Sequence, residues 1–294
     1  MAAVIPPVTK LSTSIIRILG CNPGPMTLQG TNTYLIGSGK NRILVDTGDN
    51  NIPEYQKHLS DVVNSEKANI EHIVLTHWHH DHVGGVENIY KTIAKNPIIW
   101  KHKKSSEDSA DNELPASIPI EWLRDGQEIK VEGATVKVHH TPGHTTDHIV
   151  LTCLEENILF SGDCILGEGT AVFEDLYTYM KSLQKILDLK PNIIYPGHGN
   201  IVKEPVEKIE YYIAHRNQRE EQILEALKTN SDKNLNEMDL VKIIYTETPE
   251  HLWPAAAYNV NHHLTKLVKE CKVKCVNNDG ENRWQYISKT SSNL

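Results

Sequence analysis

The stretch Thr76-His77-Trp78-His79-His80-Asp81-His82 constrains this chain more than any other part of it. It follows the apolar run Ile73-Val74-Leu75, which reads as the end of a buried strand, and it precedes Val83-Gly84-Gly85, a turn into a helix. His77 and His79 are two positions apart, so on an extended backbone they point to the same side. Asp81 and His82 follow where the chain is turning, and their side chains splay toward a second point nearby. Two imidazoles then converge on one metal ion, and a carboxylate with an imidazole on another. Neutral imidazole and carboxylate suit zinc, and also manganese or iron. One histidine here would be an ordinary polar loop residue. His77, His79 and His82 spaced around Asp81 at a strand end are not.

Three later strand ends repeat the pattern. Val136-Lys137-Val138-His139-His140 leads into Thr141-Pro142-Gly143-His144-Thr145. Ile158-Leu159-Phe160-Ser161 leads into Gly162-Asp163, and Ile193-Ile194-Tyr195 into Pro196-Gly197-His198-Gly199. Each is an apolar strand, a glycine-containing turn and one metal-capable side chain. Glycine beside the ligand lets the backbone approach closely. The strand Arg42-Ile43-Leu44-Val45 also ends in Asp46, which is either a turn-former or a second layer that orients a metal-binding histidine; the other strand ends favour the latter.

The remaining elements follow from periodicity and turn residues. Strands are expected at Ser14 to Leu19, Thr33 to Ile36 and Pro97 to Trp100, and helices at Ile52 to Asn64 and about 84 to 95. Lys101 to Ser117 reads as a polar loop, with Lys101, Lys103 and Lys104 on a solvated face. His80, His139, His140 and His148 read as surface or hydrogen-bonded structural residues, and His58, His72, His102, His215 and His251 carry no local signal. Cys164 reads as a small buried residue.

With 294 residues, 39% of them hydrophobic and 23% charged, the chain has room for one large domain and a small appendage. A formal charge of −8 argues against coating in nucleic acid through bulk charge, without excluding a local positive site. Five cysteines with no Cys-x-x-Cys pair suit free thiols in a reducing compartment. No stretch is long and apolar enough to span a membrane, and no secretory signal is visible. The N-terminal region is basic and rich in Ser and Thr, which weakly fits organelle targeting, yet an early strand leaves little room for a removable presequence.

The ordered set His77-x-His79-x-Asp81-His82, His144, Asp163 and His198 resembles the metallo-β-lactamase superfamily over residues 14 to 200. Gly20-Cys21-Asn22-Pro23-Gly24-Pro25, Gly30-Thr31-Asn32-Thr33-Tyr34 and Gly162-Asp163-Cys164-Ile165-Leu166-Gly167 resemble, more narrowly, its β-lactamase-like protein 2 subfamily. That subfamily is associated with endonucleolytic cleavage of single-stranded RNA in mitochondria. The resemblance implies an α+β fold: an αββα sandwich over residues 1–202, with the site at one edge where the strand-end loops meet. It implies two Zn(2+) per chain, the first on His77, His79 and His144, the second on Asp81, His82 and His198, with Asp163 bridging. Asp81 and Asp163 thereby become the catalytic carboxylates. Secreted β-lactamases of the superfamily commonly place a Cys in the second site, so antibiotic hydrolysis is not expected here.

The activity implied is that of a zinc-dependent endoribonuclease hydrolysing phosphodiester bonds of single-stranded RNA through a dizinc-activated hydroxide. Attack in line would leave a 5′-phosphate and a 3′-hydroxyl, without using the 2′-OH as nucleophile. Tyr177 and Tyr179 are candidate proton donors to the leaving oxygen, with core packing as their alternative. The same centre would serve a glyoxalase-II-like thioester hydrolase, which is the competing enzyme. A nucleic-acid-binding adaptor with a vestigial metal fold is disfavoured, because all seven ligands are present. The mitochondrial matrix follows from the resemblance; the residues themselves speak only for a reducing compartment, with the cytoplasm as the alternative.

From residue 203 to 294 the composition turns helical. Val206 to Lys228, Leu240 to Tyr245 and Trp253 to Lys269 read as three helices. Lys272 to Val276 and Trp284 to Ile287 read as a hairpin turning at Asn277-Asn278-Asp279-Gly280. Three helices and a hairpin resemble a winged helix, whose third helix and hairpin face nucleic acid when it binds one. Lys266, Lys269, Lys272 and Lys274 then form a basic patch against a lone Glu270. Its alternative is an ordinary solvated face. Trp284 and Tyr286 are either base-stacking or core residues.

Overall fold

The computed structural model describes residues 4–105, 114–278 and 281–288. Part of the polar loop expected up to Ser117, and Asp279 and Gly280 of the expected hairpin turn, lie outside those residues. The first sheet has seven strands in sequence order: β1 (Val8–Lys10), β2 (Ile15–Leu19), β3 (Asn32–Ile36), β4 (Asn41–Val45), β5 (Asn69–Leu75), β6 (Ile98–Lys101) and β7 (Ile120–Trp122). Its first half is an antiparallel meander, and from β4 onward the neighbours run parallel. The helices α1 (Pro53–Ser65), α2 (His80–Val83) and α3 (Val86–Thr92) occupy the crossovers.

The second sheet has the order β12-β11-β10-β9-β8, from β8 (Glu128–Val131), β9 (Ala134–His140), β10 (Ile149–Cys153), β11 (Ile158–Gly162) and β12 (Ile193–Pro196). Only β11 and β12 run parallel, because the helix α4 (Leu176–Leu189) crosses between them. The inward face of each sheet meets the other. Ile15, Tyr34, Ile36, Ile43, Val45 and Val74 pack against Val136, Val138, Ile149, Leu151 and Phe160. The alternate residues face outward under helices. Leu35, Leu44 and Ile73 lie beneath α1 and α3, and Val150 and Leu159 beneath α4. Strands buried on both faces lose the polar alternation of a half-exposed sheet, which explains their near-continuous apolar runs. The result is the expected αββα sandwich.

The expected helix over 84–95 is the shorter α3, and a separate turn of helix, α2, precedes it across Gly84-Gly85. Lys101 is not on a solvated face. It ends a strand paired on both sides, is 1% exposed, and forms an ion pair of 2.9 Å with the buried Asp147.

The helix α5 (Pro205–Thr229) follows β12 and belongs to two cores. Ile209 and Tyr212 pack with α4 against the second sheet, whereas Ile223, Ala226 and Leu227 pack with the C-terminal elements. Those are α6 (Glu237–Ile244), α7 (Trp253–Lys269) and the hairpin of β13 (Val273–Asn278) and β14 (Glu281–Tyr286), in the order of a winged helix. An Asn236–Asp239 capping box starts α6 three residues before the apolar run does.

Two predictions arise from this packing. Gly143, at φ +130°, lies so close to α4 that a Cβ there would sit 2.4 Å from the Tyr179 backbone. Gly143→Ala should therefore cost at least ~2 kcal/mol in urea unfolding, and an unchanged midpoint would disprove this close approach. His263 on α7 is 2% exposed. Burial, and then the nearby Lys266, Arg216, Arg219 and His215, push its imidazole down to about 3. It stays neutral when folded and takes up a proton on unfolding, so its contribution is complete above its unfolded pKa and is lost as pH falls below that value toward 3. Between pH 8 and pH 5 this one group removes about 2 kcal/mol of stability. In His263→Gln the fall in unfolding free energy over that window should be smaller by this amount; identical curves would refute the assignment.

Candidate metal centre

Every candidate ligand stands just beyond a strand, at the same edge of the sandwich. Past β5 the chain carries His77 and His79 and then turns into α2, which presents Asp81 and His82. His144 sits in the β9–β10 turn, Asp163 follows β11, and His198 follows β12. A bridge between Thr31 and His198, and the bond from Asn32 N–H to Gly197 O (2.7 Å), clamp the two sheets together at that edge.

The seven side chains fall into two groups that could hold a metal ion: His77, His79, His144 and Asp163, and Asp81, His82 and His198. In the first, His79 Nδ1 is 2.9 Å from His77 Nε2 and 3.1 Å from His144 Nε2. In the second, His82 Nε2, His198 Nε2 and Asp81 Oδ2 are mutually 3.2–3.3 Å apart. Donors at about 2.0–2.1 Å from a tetrahedral ion stand about 3.3 Å from one another, so the second triangle has the right edge and the two distances of the first fall slightly inside it. Asp163 reaches across the two: Oδ1 is 3.3 Å from His82, and Oδ2 is 3.3 Å from His198 and 3.7 Å from His144. Gly197 makes room for it, since a Cβ there would lie 2.4 Å from Asp163 Oδ1.

The hydrogen bonds behind the rings decide which nitrogens carry lone pairs. His144 Nδ1 faces the carbonyl of Val172 at 2.8 Å, and His82 Nδ1 faces Asp46 Oδ2 at 2.7 Å. A carbonyl or carboxylate only accepts, so both Nδ1 atoms carry protons, and in the neutral rings that a metal requires both Nε2 atoms turn lone pairs inward. His198 Nδ1 faces the Gly30 carbonyl at 3.5 Å, a long contact of the same polarity. With neutral rings, lone pairs and carboxylate oxygens confront each other in a buried space, and among the described residues Asp163 Oδ1 has no hydrogen-bond partner of good geometry. Such a constellation is unfavourable alone and becomes favourable around cations. These residues fit metal.

The protonation pattern agrees. Burial pushes the imidazoles of His77, His79 and His144 below their ordinary value, His79 to about 4, so all three are neutral ligands. At His82 and His198 burial is outweighed by carboxylates, above all Asp81 for His82 and Asp163 for His198, which raise His198 to about 9. Burial would raise the Asp81 and Asp163 carboxyls, but the His82 and His198 imidazoles hold both well below the usual range. The protons stored on the second group mark where positive charge is wanted.

A supporting layer locks the geometry. Asp46, in the left-handed region at φ 59°, accepts from Thr76 N–H and Thr76 Oγ1 as well as from His82. It orients a ligand from behind, as its strand-end position suggested. Thr76 Oγ1 also meets His77 Nδ1 at 3.0 Å. Thr31 Oγ1 donates to Asp81, and Asn22 holds Thr31 through both its backbone and its hydroxyl, which gives the Gly20–Pro25 turn a purpose. His148 belongs here too. It is fully buried, neutral because of that burial, and its Nε2 accepts from Asp163 N–H while Nδ1 faces Thr141. It is one of the hydrogen-bonded structural histidines, and its place behind Asp163 has no local sequence signal because Asp163 comes from the end of β11.

The other expected site residues lie elsewhere. Tyr179 is fully buried and donates to Cys164 O at 2.6 Å; burial raises its pKa well above the usual tyrosine value, so it is core and no proton donor. Tyr177 lies under Lys181 and outside the cleft beside the metal ligands. Lys266 is buried and paired with Glu220 and Glu270, Lys272 joins the same two carboxylates, and Lys269 pairs with Asp175. The basic patch is thus largely neutralised, by the neighbouring Glu270 and by Glu220 and Asp175 from distant parts of the chain, leaving the exposed Lys274. Trp284 is core and donates to Glu237, while Tyr286 is half-buried against the C-terminal core and covered by Lys228. Cys164 is fully buried, its thiol pushed up to about 12 by burial.

A fold of two sheets and flanking helices with this ordered ligand set defines a class. A family model described as the metallo-beta-lactamase superfamily matches residues 26–198, so the chain belongs to that superfamily of hydrolytic metalloenzymes; one described as the beta-lactamase associated winged helix domain matches residues 237–284. The chain is 59% identical over 286 residues to the Beta-lactamase-like protein 2 homolog of Drosophila melanogaster, covering 97% of this chain and 98% of that protein. It is 38% identical over 288 residues to the atrochrysone carboxyl ACP thioesterase of Claviceps purpurea, covering 96% and 89%. A beta-lactamase domain protein from Burkholderia ambifaria has the same fold, with a TM-score of 0.77 at 18% identity over 95% of this chain and 93% of that one.

The supporting layer can be tested through Asp46→Asn. It keeps the shape of the side chain but removes the charge that faces His82 Nδ1–H and Thr76. Affinity for added metal should fall about 10–100-fold in a competition titration with a chelator, with the fold retained by circular dichroism. Wild-type affinity would show that Asp46 has no part in orienting the ligands.

Proposed function

We propose that this chain is a zinc-dependent endoribonuclease of single-stranded RNA, holding two zinc ions and working in the mitochondrial matrix. The donor set fits zinc: imidazole and carboxylate at tetrahedral spacing. Zinc ions bound there would supply an acidified water near neutral pH and stabilise charge building on a phosphoryl group. His77, His79 and His144 would hold one ion, and Asp81, His82 and His198 the other. Asp163 lies between the groups and stays ionised, and Asp46, Thr31 and His148 fix the approach angles of the ligands.

The RNA part rests on the subfamily resemblance and on one feature of the rim. Trp78 packs against His79, with ring centroids 4.6 Å apart, and Lys104 stands 4.2 Å over Trp78. Nearby in sequence, Lys103 stands over the exposed Trp122. Aromatic faces paired with cations are what a single strand needs, stacking for bases and charge for phosphates. The cleft against the ligands is small, about 210 Å³, so a polymer would place only its scissile linkage inside and lie across this rim.

A thioester hydrolase is the second reading. The cleft wall includes Met26, Leu28, Leu166 and Val172, an apolar lining suited to an acyl chain, and the Claviceps purpurea relative is named a thioesterase. One assay separates them. Labelled single-stranded RNA and a thioester are each given to wild type, to Asp163→Asn and to chelator-treated protein. The nuclease reading expects RNA cleavage with 5′-phosphate products, reduced at least ~100-fold by the substitution and by chelation. Intact RNA beside rapid thioester hydrolysis would overturn it.

A further inference from the structure

A second cavity, of about 240 Å³, shares Thr170 and Ala171 with the catalytic cleft and opens between α5 and α7. His215, Arg216 and Arg219 line it from α5, and Asn259 and His263 from α7. Its lining contains two guanidiniums and two imidazoles but no carboxylate, in a chain of formal charge −8. Arg216 and His263 form the buried part, 4% and 2% exposed. Among the described residues, Arg216 Nε and His263 Nδ1 are both buried without a hydrogen-bond partner.

The two arginines are held in place by means that leave their charge uncompensated. Arg216 donates to the carbonyls of Tyr212 and Ala171 and lies against Phe173, Tyr179 and Tyr212. Arg219 lies over Tyr245 at 3.9 Å and donates to Gln222. Among the described residues neither forms an ion pair. The adjacent Glu220 is taken by Lys266 and Lys272. Aromatic stacking and carbonyl acceptors fix a guanidinium plane, but they do not neutralise it. Burying such a cation is costly unless an anion arrives. Planar, pre-oriented guanidiniums with neighbouring imidazole donors are matched to the oxygens of phosphate.

We propose that the α5–α7 cavity is a phosphate-binding site for the substrate, engaging a backbone phosphate of the RNA strand away from the bond being cut. Arg219 and the exposed His215 meet the phosphate at the mouth, and Arg216 and His263 receive it inside. This rests on the RNA reading for the source of the phosphate but not for the site itself, since a phosphopantetheine-linked thioester would offer the same group. The shared Thr170–Ala171 wall makes occupation of one space a constraint on the other. It also assigns the C-terminal unit a part in substrate binding through α7 rather than through the lysines at its end.

The test has a binding arm and a length arm. Full-length protein is stripped of metal with chelator, so that the metal ligands do not capture phosphate, and titrated calorimetrically with inorganic phosphate. Wild type should bind saturably and Arg219→Ala about tenfold more weakly, with Arg219→Lys intermediate because it keeps the charge. Absence of binding by wild type, or equal binding by all three at equal thermal stability, would overturn the proposal. In the length arm, metal-loaded protein cleaves a dinucleotide and a strand of about twelve nucleotides. The kcat/KM advantage of the long strand should shrink about tenfold in Arg219→Ala; an undiminished advantage would remove the strand as the source. Should wild type cut no RNA yet bind phosphate through Arg219, the nuclease reading fails while the site stands. The variant should then discriminate against a phosphopantetheine thioester relative to a simple thioester.

Discussion

Turning five imidazoles and two carboxylates toward one another in a buried space is costly without a cation, and much of this edge of the molecule holds that arrangement. The hydrogen-bonding partners on the outer side of the rings, Asp46, Val172 O and Gly30 O, determine which nitrogen of His82, His144 and His198 is an acceptor. With those partners reversed, the same histidines would present N–H groups inward and repel a cation. The metal affinity of the site is therefore set one layer out from the ligands. That layer is built from backbone as much as from side chains.

Backbone control explains why the fold has this form. The ligands come from loops at one edge of both sheets, so their mutual spacing depends on how the sheets are clamped. Asn32 and Tyr34 perform that clamping, with Asn32 reaching Pro196 O and Gly199 O and Tyr34 reaching Pro196 O. The parallel pairing of β11 with β12 delivers Asp163 and His198 side by side. The ion pair of Lys101 with Asp147 ties the His144-bearing loop to the far side of the first sheet. Loss of any one clamp would move whole ligand groups relative to each other, not single side chains.

What was legible in the sequence follows from this division. The ligands could be read because each follows an apolar strand and sits by a glycine or in a dense histidine run, both local signals. The αββα class was legible through the resemblance those residues carry. The strand β10 and helix α4 went unread. Ile149–Cys153 is apolar on both faces, which removes the two-residue period, and Leu176–Leu189 begins with tyrosines that invited a catalytic reading. The roles of His148 and Thr31 toward the ligands have no local signal, because the carboxylates they serve, Asp163 and Asp81, are distant in sequence. The lysines at 266, 269 and 272 misled for the same reason in reverse. Beyond the neighbouring Glu270, their acids Glu220 and Asp175 lie 46 to 94 residues away, so local charge counting shows a patch where the structure has ion pairs.

The helix α5 shows why the C-terminal unit is more than an appendage. Its first half completes the core beneath the second sheet, its second half nucleates the winged-helix core, and Arg216 lies between the two. Arg216 touches Tyr179 and Tyr212 and donates to Ala171 O, so it packs against the segment that also lines the metal cleft. A buried guanidinium is a poor choice for a helix junction if packing were its sole purpose, because an apolar residue of similar volume would avoid the desolvation cost. Placing it with an orphaned Nε beside an acid-free cavity is intelligible if its charge meets a ligand. On that reasoning the junction between the two units is a working part of the substrate site, and the strand-end metal ligands form only its reactive half.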